Sequence, residues 1–148
     1  LAALAARHYP TLSGGEKQRV HLARALAQLR PSADAPASAG RALLLDEPTA
    51  SLDLAHQHGV LALARRLALD DGVAVLAVLH DLNLVLAYAD DVAVLRDGRV
   101  VARGPVGDTL TAALIEDVFG VPARLLPPRR PGPAARPWLV LGPGAAAA

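Results

Sequence analysis

The sequence has 148 residues, 15 Lys+Arg against 14 Asp+Glu, and no Cys. At 53% hydrophobic residues and a net charge of +1, it describes one soluble globular domain with enough chain to bury a core without disulfides, which excludes disorder throughout. The longest apolar run, Val73 to Leu79, falls far short of the ~18 residues of a membrane-spanning helix. Arg7-His8 directly follows the apolar opening and no basic segment precedes it, so a signal peptide is a poor reading. A reducing setting fits the lack of Cys. With no Met and a start at Leu1, the chain is expected to be a piece of a longer product. Residues 1–120 carry 11 basic and 14 acidic side chains, a net −3, and residues 121–148 carry four Arg and no acid. A nucleic-acid binder would instead place a basic patch on the folded part, so no nucleic-acid partner is expected.

In chain order, Ser13-Gly-Gly-Glu16 has the spacing of a capping box, and Val20, Leu22, Ala23, Leu26, Ala27 and Leu29 recur with helical period. This predicts a helix from about Gly14 to Leu29. Pro31 to Gly40 is breaker-rich and reads as a loop. Ala42 to Asp46 is a short apolar run bounded by breakers, a strand ending in the acids Asp46 and Glu47. Asp53 caps a helix to about Leu69, and Asp70-Asp71-Gly72 stops it. Val73 to Leu79 is a continuously apolar second strand, expected to be parallel and covered on both faces, which completes a βαβ unit.

After His80 a short helix is expected through Asn83 to Ala89, then a hairpin in which Val92–Arg96 and Arg99–Arg103 flank Asp97-Gly98. Thr111 caps a last helix to about Phe119. Seven of the twelve Pro fall in residues 121–148, so that tail is expected to be disordered and residues 1–120 to form the domain. The four tail Arg, interleaved with Pro, read as solvated rather than lipid-binding.

Three positions carry chemistry. At the predicted helix start, Ser13, Gly14 and Gly15 offer bare amide N–H groups, the positive end of the helix dipole and a hydroxyl, which suit an anion. At the end of the first strand, Asp46 suits Mg²⁺ and Glu47 suits the polarisation of water. His80 follows the second strand at the same sheet edge, where its imidazole suits a phosphate oxygen. His56 and His58 lie two apart, which does not share a helix face, and are read as helix surface or packing.

The order of these motifs, Leu12-Ser-Gly-Gly-Glu16, Leu43-Leu-Leu-Asp-Glu-Pro-Thr49, Ser51-Leu-Asp53 and His80-Asp81, resembles the ABC-type ATPases over roughly residues 10–120. Leu12 to Glu16 are similar to the family's signature motif, with Glu16 where Gln is more usual. Leu43 to Asp46 match Walker B, Glu47 the catalytic carboxylate, Ser51 to Asp53 the D-loop and His80 the switch histidine.

The resemblance implies an α/β fold, the carboxyl-terminal part of a P-loop NTPase with parallel strands between helices, and residues 1–30 as the end of a helical subdomain. ATP and Mg²⁺ are the implied cofactors. Asp46 would hold the Mg²⁺, Glu47 would orient or deprotonate the attacking water and His80 would contact the γ-phosphate. Ser13, Gly14, Gly15 and Asp53 would serve the nucleotide of a second copy in a head-to-tail dimer.

Asp53-Leu-Ala-His-Gln-His58, His80-Asp-Leu-Asn83 and Tyr88-Ala-Asp90 are similar to hemin-import ATPases, and iron-siderophore and vitamin B12 importers share part of this pattern. Inner-membrane permease subunits are then the partners, with a periplasmic binding protein indirectly, and the location is the cytoplasmic face of the inner membrane. The alternatives are a non-transport ABC ATPase, in repair, translation or cluster assembly, and a non-catalytic remnant. A P-loop reads G-x-x-x-x-G-K-[ST], and the only Lys, Lys17, sits between Glu16 and Gln18. The 148 residues alone are therefore expected to bind ATP poorly and to be inactive.

Overall fold

The computed structural model describes residues 5–29, 40–128 and 136–143. Most of the loop expected at Pro31 to Gly40 lies outside them. The chain divides into two compact units, Leu1–His80 and Asp81–Ala148, where the sequence pointed to one domain ending near residue 120.

In the first unit, a 3-10 turn at Tyr9–Thr11 leads into α1, Gly14–Gln28. The Tyr9 hydroxyl lies 2.7 Å from His21 Nε2 and ties the turn to the helix. The capping box forms as its spacing predicts: Ser13 N–H donates to Glu16 Oε2 at 2.8 Å and Glu16 N–H donates to Ser13 Oγ at 3.3 Å. Strand β1, Ala42–Asp46, is followed by α2, Leu54–Asp71, and β2, Ala74–Val78. Asp53 caps α2, and Gly72, with φ +64°, ends it two residues beyond the expected Leu69.

β1 and β2 pair in parallel, Ala42 with Ala74 through Asp46 with Val78, so the crossover through α2 makes the expected βαβ unit. Leu43, Leu45, Ala64 and Val73 form the buried cluster, against which Leu22, Leu26, Leu29, Leu67, Val75 and Ala77 pack. Both helices thus contribute to the cover of one sheet face.

The expectation that the second strand is covered on both faces is not met. Leu44 is 73% exposed, Leu76 64% and Val78 48%. Register explains the pattern. Leu43 and Leu45 share a face with Val75 and Ala77, and the alternate residues project to the other side, which lies open to solvent. A continuous apolar run therefore reads out as alternating burial.

The second unit begins with α3, Leu82–Tyr88, capped by Asp81. Strands β3, Asp91–Arg96, and β4, Arg99–Pro105, form the antiparallel hairpin. Its two turn residues both take positive φ, Asp97 at 51° and Gly98 at 73°, the backbone that fits the twist of a two-residue hairpin. A one-residue bulge at Val101 shifts the register between Val94 and Leu95.

A short α4, Val106–Thr109, which the sequence did not announce, precedes α5, Ala112–Phe119, capped by Thr111 and closed by Gly120 with φ 68°. Leu86, Leu110 and Ile115 are the largest fully buried side chains. Among the described residues no helix is long and apolar enough to cross a membrane.

The expected disorder of the tail is corrected for residues 121–128 and 136–143. β5, Ala123–Leu126, pairs antiparallel with β6, Trp138–Leu141. Ala123 and Leu139 are buried, and Glu116 Oε1 accepts from Ala123 N–H at 3.0 Å. Asn83 holds β6 from α3: its Oδ1 accepts from Leu139 N–H at 2.8 Å and its Nδ2 donates to Leu139 O at 3.1 Å. Arg136 donates to the carbonyls of Leu86 and Ala89 and to Asp90 Oδ1, so this tail Arg caps the end of α3. Composition pointed to a solvated tail because Pro-rich flanks outweigh two four-residue strands. The strands persist because each buries a side chain, and Glu116 of α5 supplies a polar partner to β5 and Asn83 of α3 to β6. The stretches 129–135 and 144–148 lie outside the described residues.

Candidate functional site

At the carboxyl end of the parallel pair, three sequence-selected residues come together at one edge. Asp46 is the last residue of β1, in register with Val78, and His80 follows β2 by two residues. His80 Nε2 lies 2.7 Å from Glu47 Oε1, with the side chains 74% and 51% exposed. A carboxylate only accepts, so the contact is made with the imidazole proton on Nε2. At this exposure the pair contributes little to stability; its effect is to fix where the carboxylate points.

Glu47 takes a left-handed backbone, φ 44°, and Ser51 does the same at 59°. Non-glycine residues seldom occupy this region, and strain of this kind collects at working sites. The Glu47 carbonyl accepts from Ala50 N–H at 3.0 Å and from Gln18 Nε2 at 3.4 Å, which anchors the turn to α1.

Asp46 is exposed, and its side chain makes no hydrogen bond or ion pair among the described residues. No group of three or more potential metal-ligating side chains occurs among them either. One open carboxylate suits Mg²⁺, which takes one or two protein ligands and fills its octahedron with water and phosphate oxygens. It does not suit a cation that needs a full protein cage.

The remaining selected residues line a different concavity. Ser13, Gly14, Gly15, Glu16, Arg19, Ser51, Leu52, Asp53 and His56 surround a groove of ≈ 620 Å³, which Glu47 and His80 do not line. A Cβ on Gly15 would stand 3.1 Å from the Ser51 carbonyl oxygen, so the absence of a side chain there lets the start of α1 approach the 51–53 turn. The Ser13 amide holds the Glu16 carboxyl below its ordinary range, with help from the Ser13 hydroxyl and Arg7, whose Nη1 is 2.7 Å away. Asp53 is lowered as well, first by the His56 backbone N–H and then by the His56 side chain.

Two residues of this groove were not selected from the sequence. His56, read as helix surface or packing, lies 2.8 Å through Nδ1 from both carboxylate oxygens of Asp53 and 2.6 Å through Nε2 from Arg19 Nη1. The Asp53-x-x-His56 spacing carries a usable signal, because the third helical residue faces back to its cap. For Arg19, 37 residues from His56, no local signal exists.

No protein-family model matches the chain. It is 57% identical over 121 residues to the hemin import ATP-binding protein HmuV of Gloeobacter violaceus, a match covering 82% of this chain and 42% of that protein. To the HmuV of Myxococcus xanthus it is 56% identical over 135 residues, 90% of this chain and 49% of that one. The chain thus spans less than half the length of these curated relatives.

Among solved structures, a metal-chelate type ABC transporter in an inward-facing conformation superposes with a TM-score of 0.74 at 30% identity, covering 95% of this chain and 52% of that one. A dimeric ATP-binding cassette in a post-hydrolysis state, with ADP and phosphate bound, gives 0.55 at 33% identity over 66% of this chain and 37% of that one. With the parallel β1–β2 pair and its edge residues, these likenesses establish that the chain belongs to the ABC transporter ATP-binding subunits, over the carboxyl-terminal part of their P-loop NTPase fold.

Proposed function

We propose that this chain forms the Walker B and signature-motif part of the ATP-hydrolysing subunit of an ABC importer whose cargo is hemin. The 2.7 Å approach of His80 to Glu47 beside an open Asp46 carries the reading, because it arranges a carboxylate, its orienting partner and a cation ligand at one sheet edge. Asp46 would hold Mg²⁺, which neutralises phosphate charge when bound. Glu47 accepts the proton of, or orients, the attacking water, and His80 fixes Glu47 through its Nε2–H and would contact the γ-phosphate. Positioning of this kind supplies most of the catalysis in phosphoryl transfer.

Ser13, Gly14, Gly15 and Asp53 line a separate groove, which supports their assignment to the nucleotide of a second copy in a head-to-tail dimer. The open apolar face bearing Leu44, Leu76 and Val78 is where the remaining half of such a subunit would pack. The other partners are inner-membrane permease subunits, with a periplasmic binding protein reached through them, and the subunit works peripherally at the cytoplasmic face.

Hemin is favoured by the relatives' names, and the metal-chelate type of the 0.74 neighbour supports iron-siderophore or vitamin B12 import as a second reading. The test is Glu47→Gln in the native protein. Hydrolysis should fall by about 10²–10⁴-fold while ATP binding persists, the range of a lost general base. Equal hydrolysis in both proteins rejects the role of Glu47, and retention of hydrolysis only with hemin-free permease partners rejects the cargo.

A further inference from the structure

His56 stands between two charged groups from different helices, and the chemistry of its neighbours fixes its protonation. A guanidinium has donors only, so Arg19 Nη1 at 2.6 Å requires a lone pair on Nε2. A carboxylate has acceptors only, so Asp53 Oδ1 and Oδ2, both at 2.8 Å, require the proton on Nδ1. Both contacts are satisfied together by the neutral Nδ1–H imidazole alone. The same Asp53 Oδ1 accepts from His56 N–H at 2.9 Å, so cap, imidazole and guanidinium form one chain of hydrogen bonds.

This chain crosses the groove from α2 to α1. Its members line the groove beside Ser13, Gly14 and Gly15, at the place where Gly15 allows the Ser51 carbonyl its close approach. We propose that His56 is a positioning residue for ATP hydrolysis: as the neutral Nδ1–H imidazole it clamps Asp53 of the 51–53 turn to Arg19 of α1, and so preforms the wall that meets the nucleotide. The inference rests on the ATPase reading above for its consequence, and on the geometry alone for the clamp.

The charged groups around His56 are Asp53 at the cap of its own helix and, from α1, Arg19 and, on the same groove, Glu16, which Arg7 and Ser13 already engage. A proton on Nε2 would set two donors face to face, so the contact with Arg19 needs that nitrogen bare.

Long-range ¹H–¹⁵N correlation on the native protein, with ¹⁵N-labelled histidine, reads the clamp directly. The expected result is a proton on Nδ1 and a bare Nε2, with Arg19→Ala giving a mixed tautomer. An Nε2–H tautomer, or no response to Arg19→Ala, overturns the clamp.

For its consequence, kcat of His56→Ala should fall about tenfold with KM for ATP within about twofold, since an aligned wall acts on the transition state more than on ground-state binding. His56→Asn, which keeps a donor toward Asp53, should recover part of that loss. Unchanged kcat in His56→Ala overturns the positioning role. If the wild type and Glu47→Gln are equally inactive, the ATPase reading falls and the positioning role with it, while the tautomer measurement still decides the clamp.

Discussion

Glu47 and His80 are separated by 33 residues in the chain and by 2.7 Å in space, one directly after the first strand and the other two residues past the second. The parallel register of β1 and β2 brings them together, because Asp46 sits opposite Val78 and both strands deliver their carboxyl ends to the same edge. In open α/β sheets that edge is where ligands collect.

If His80 orients Glu47, removing its ring should affect rate more than binding. His80→Ala is expected to lower hydrolysis about 10- to 100-fold, and His80→Gln, which keeps a donor near Nε2, should lose less. Steady-state hydrolysis beside a nucleotide-binding titration checks this. Equal losses in the two variants would count against the hydrogen bond as the cause.

Glycines within and after α2 should respond oppositely to alanine. Gly59 is helical, with no atom within 4 Å of an added Cβ, so Gly59→Ala should stabilise by about 0.5–1 kcal/mol. Gly72 has φ +64° and ends the helix, so Gly72→Ala should destabilise by about 1 kcal/mol. Urea midpoints of the two variants on either side of the wild type are the expected outcome.

Acid should loosen both helix starts. The carboxyls of Glu16 and Asp53 are held below their ordinary values by the N–H groups they accept from. The unfolded chain therefore takes up protons first as pH falls, and the stability these carboxylates add, complete above about pH 5, is lost as pH drops through the lowered values. Urea midpoints should decline from pH 5 to pH 3, and Asp53→Asn should flatten part of the slope. A midpoint that rises over that interval contradicts the assignment.

The tail strand depends on one amide. Asn83 satisfies both the N–H and the carbonyl of Leu139, a residue only 5% exposed. Asn83→Ala should cost about 1–3 kcal/mol, the penalty for a buried polar group left without its partner. Hydrogen exchange at the Leu139 amide, faster in the variant, locates the loss; an unchanged rate would mean that β5 alone holds the strand.

Local chemistry carries most of what the sequence determined. The capping box at Ser13–Glu16, the cap at Asp53, the Asp97-Gly98 hairpin and the cap at Thr111 all form as read, since each needs only residues within four positions of one another. Motif order was enough to select Ser13, Gly14, Gly15, Asp46, Glu47, Asp53 and His80 and to identify the family.

What the tertiary structure decided depends on register and on distant partners. Only pairing shows that Leu44 and Leu76 face out while Leu43 and Val75 face in, because a run apolar at every position carries no period. Only folding brings Arg19 to His56 and Asn83 to Leu139, contacts spanning 37 and 56 residues. Composition cannot register either: a hydrogen bond depends on where two chain segments cross, and Arg19, His56, Asn83 and Leu139 are ordinary residues until they do.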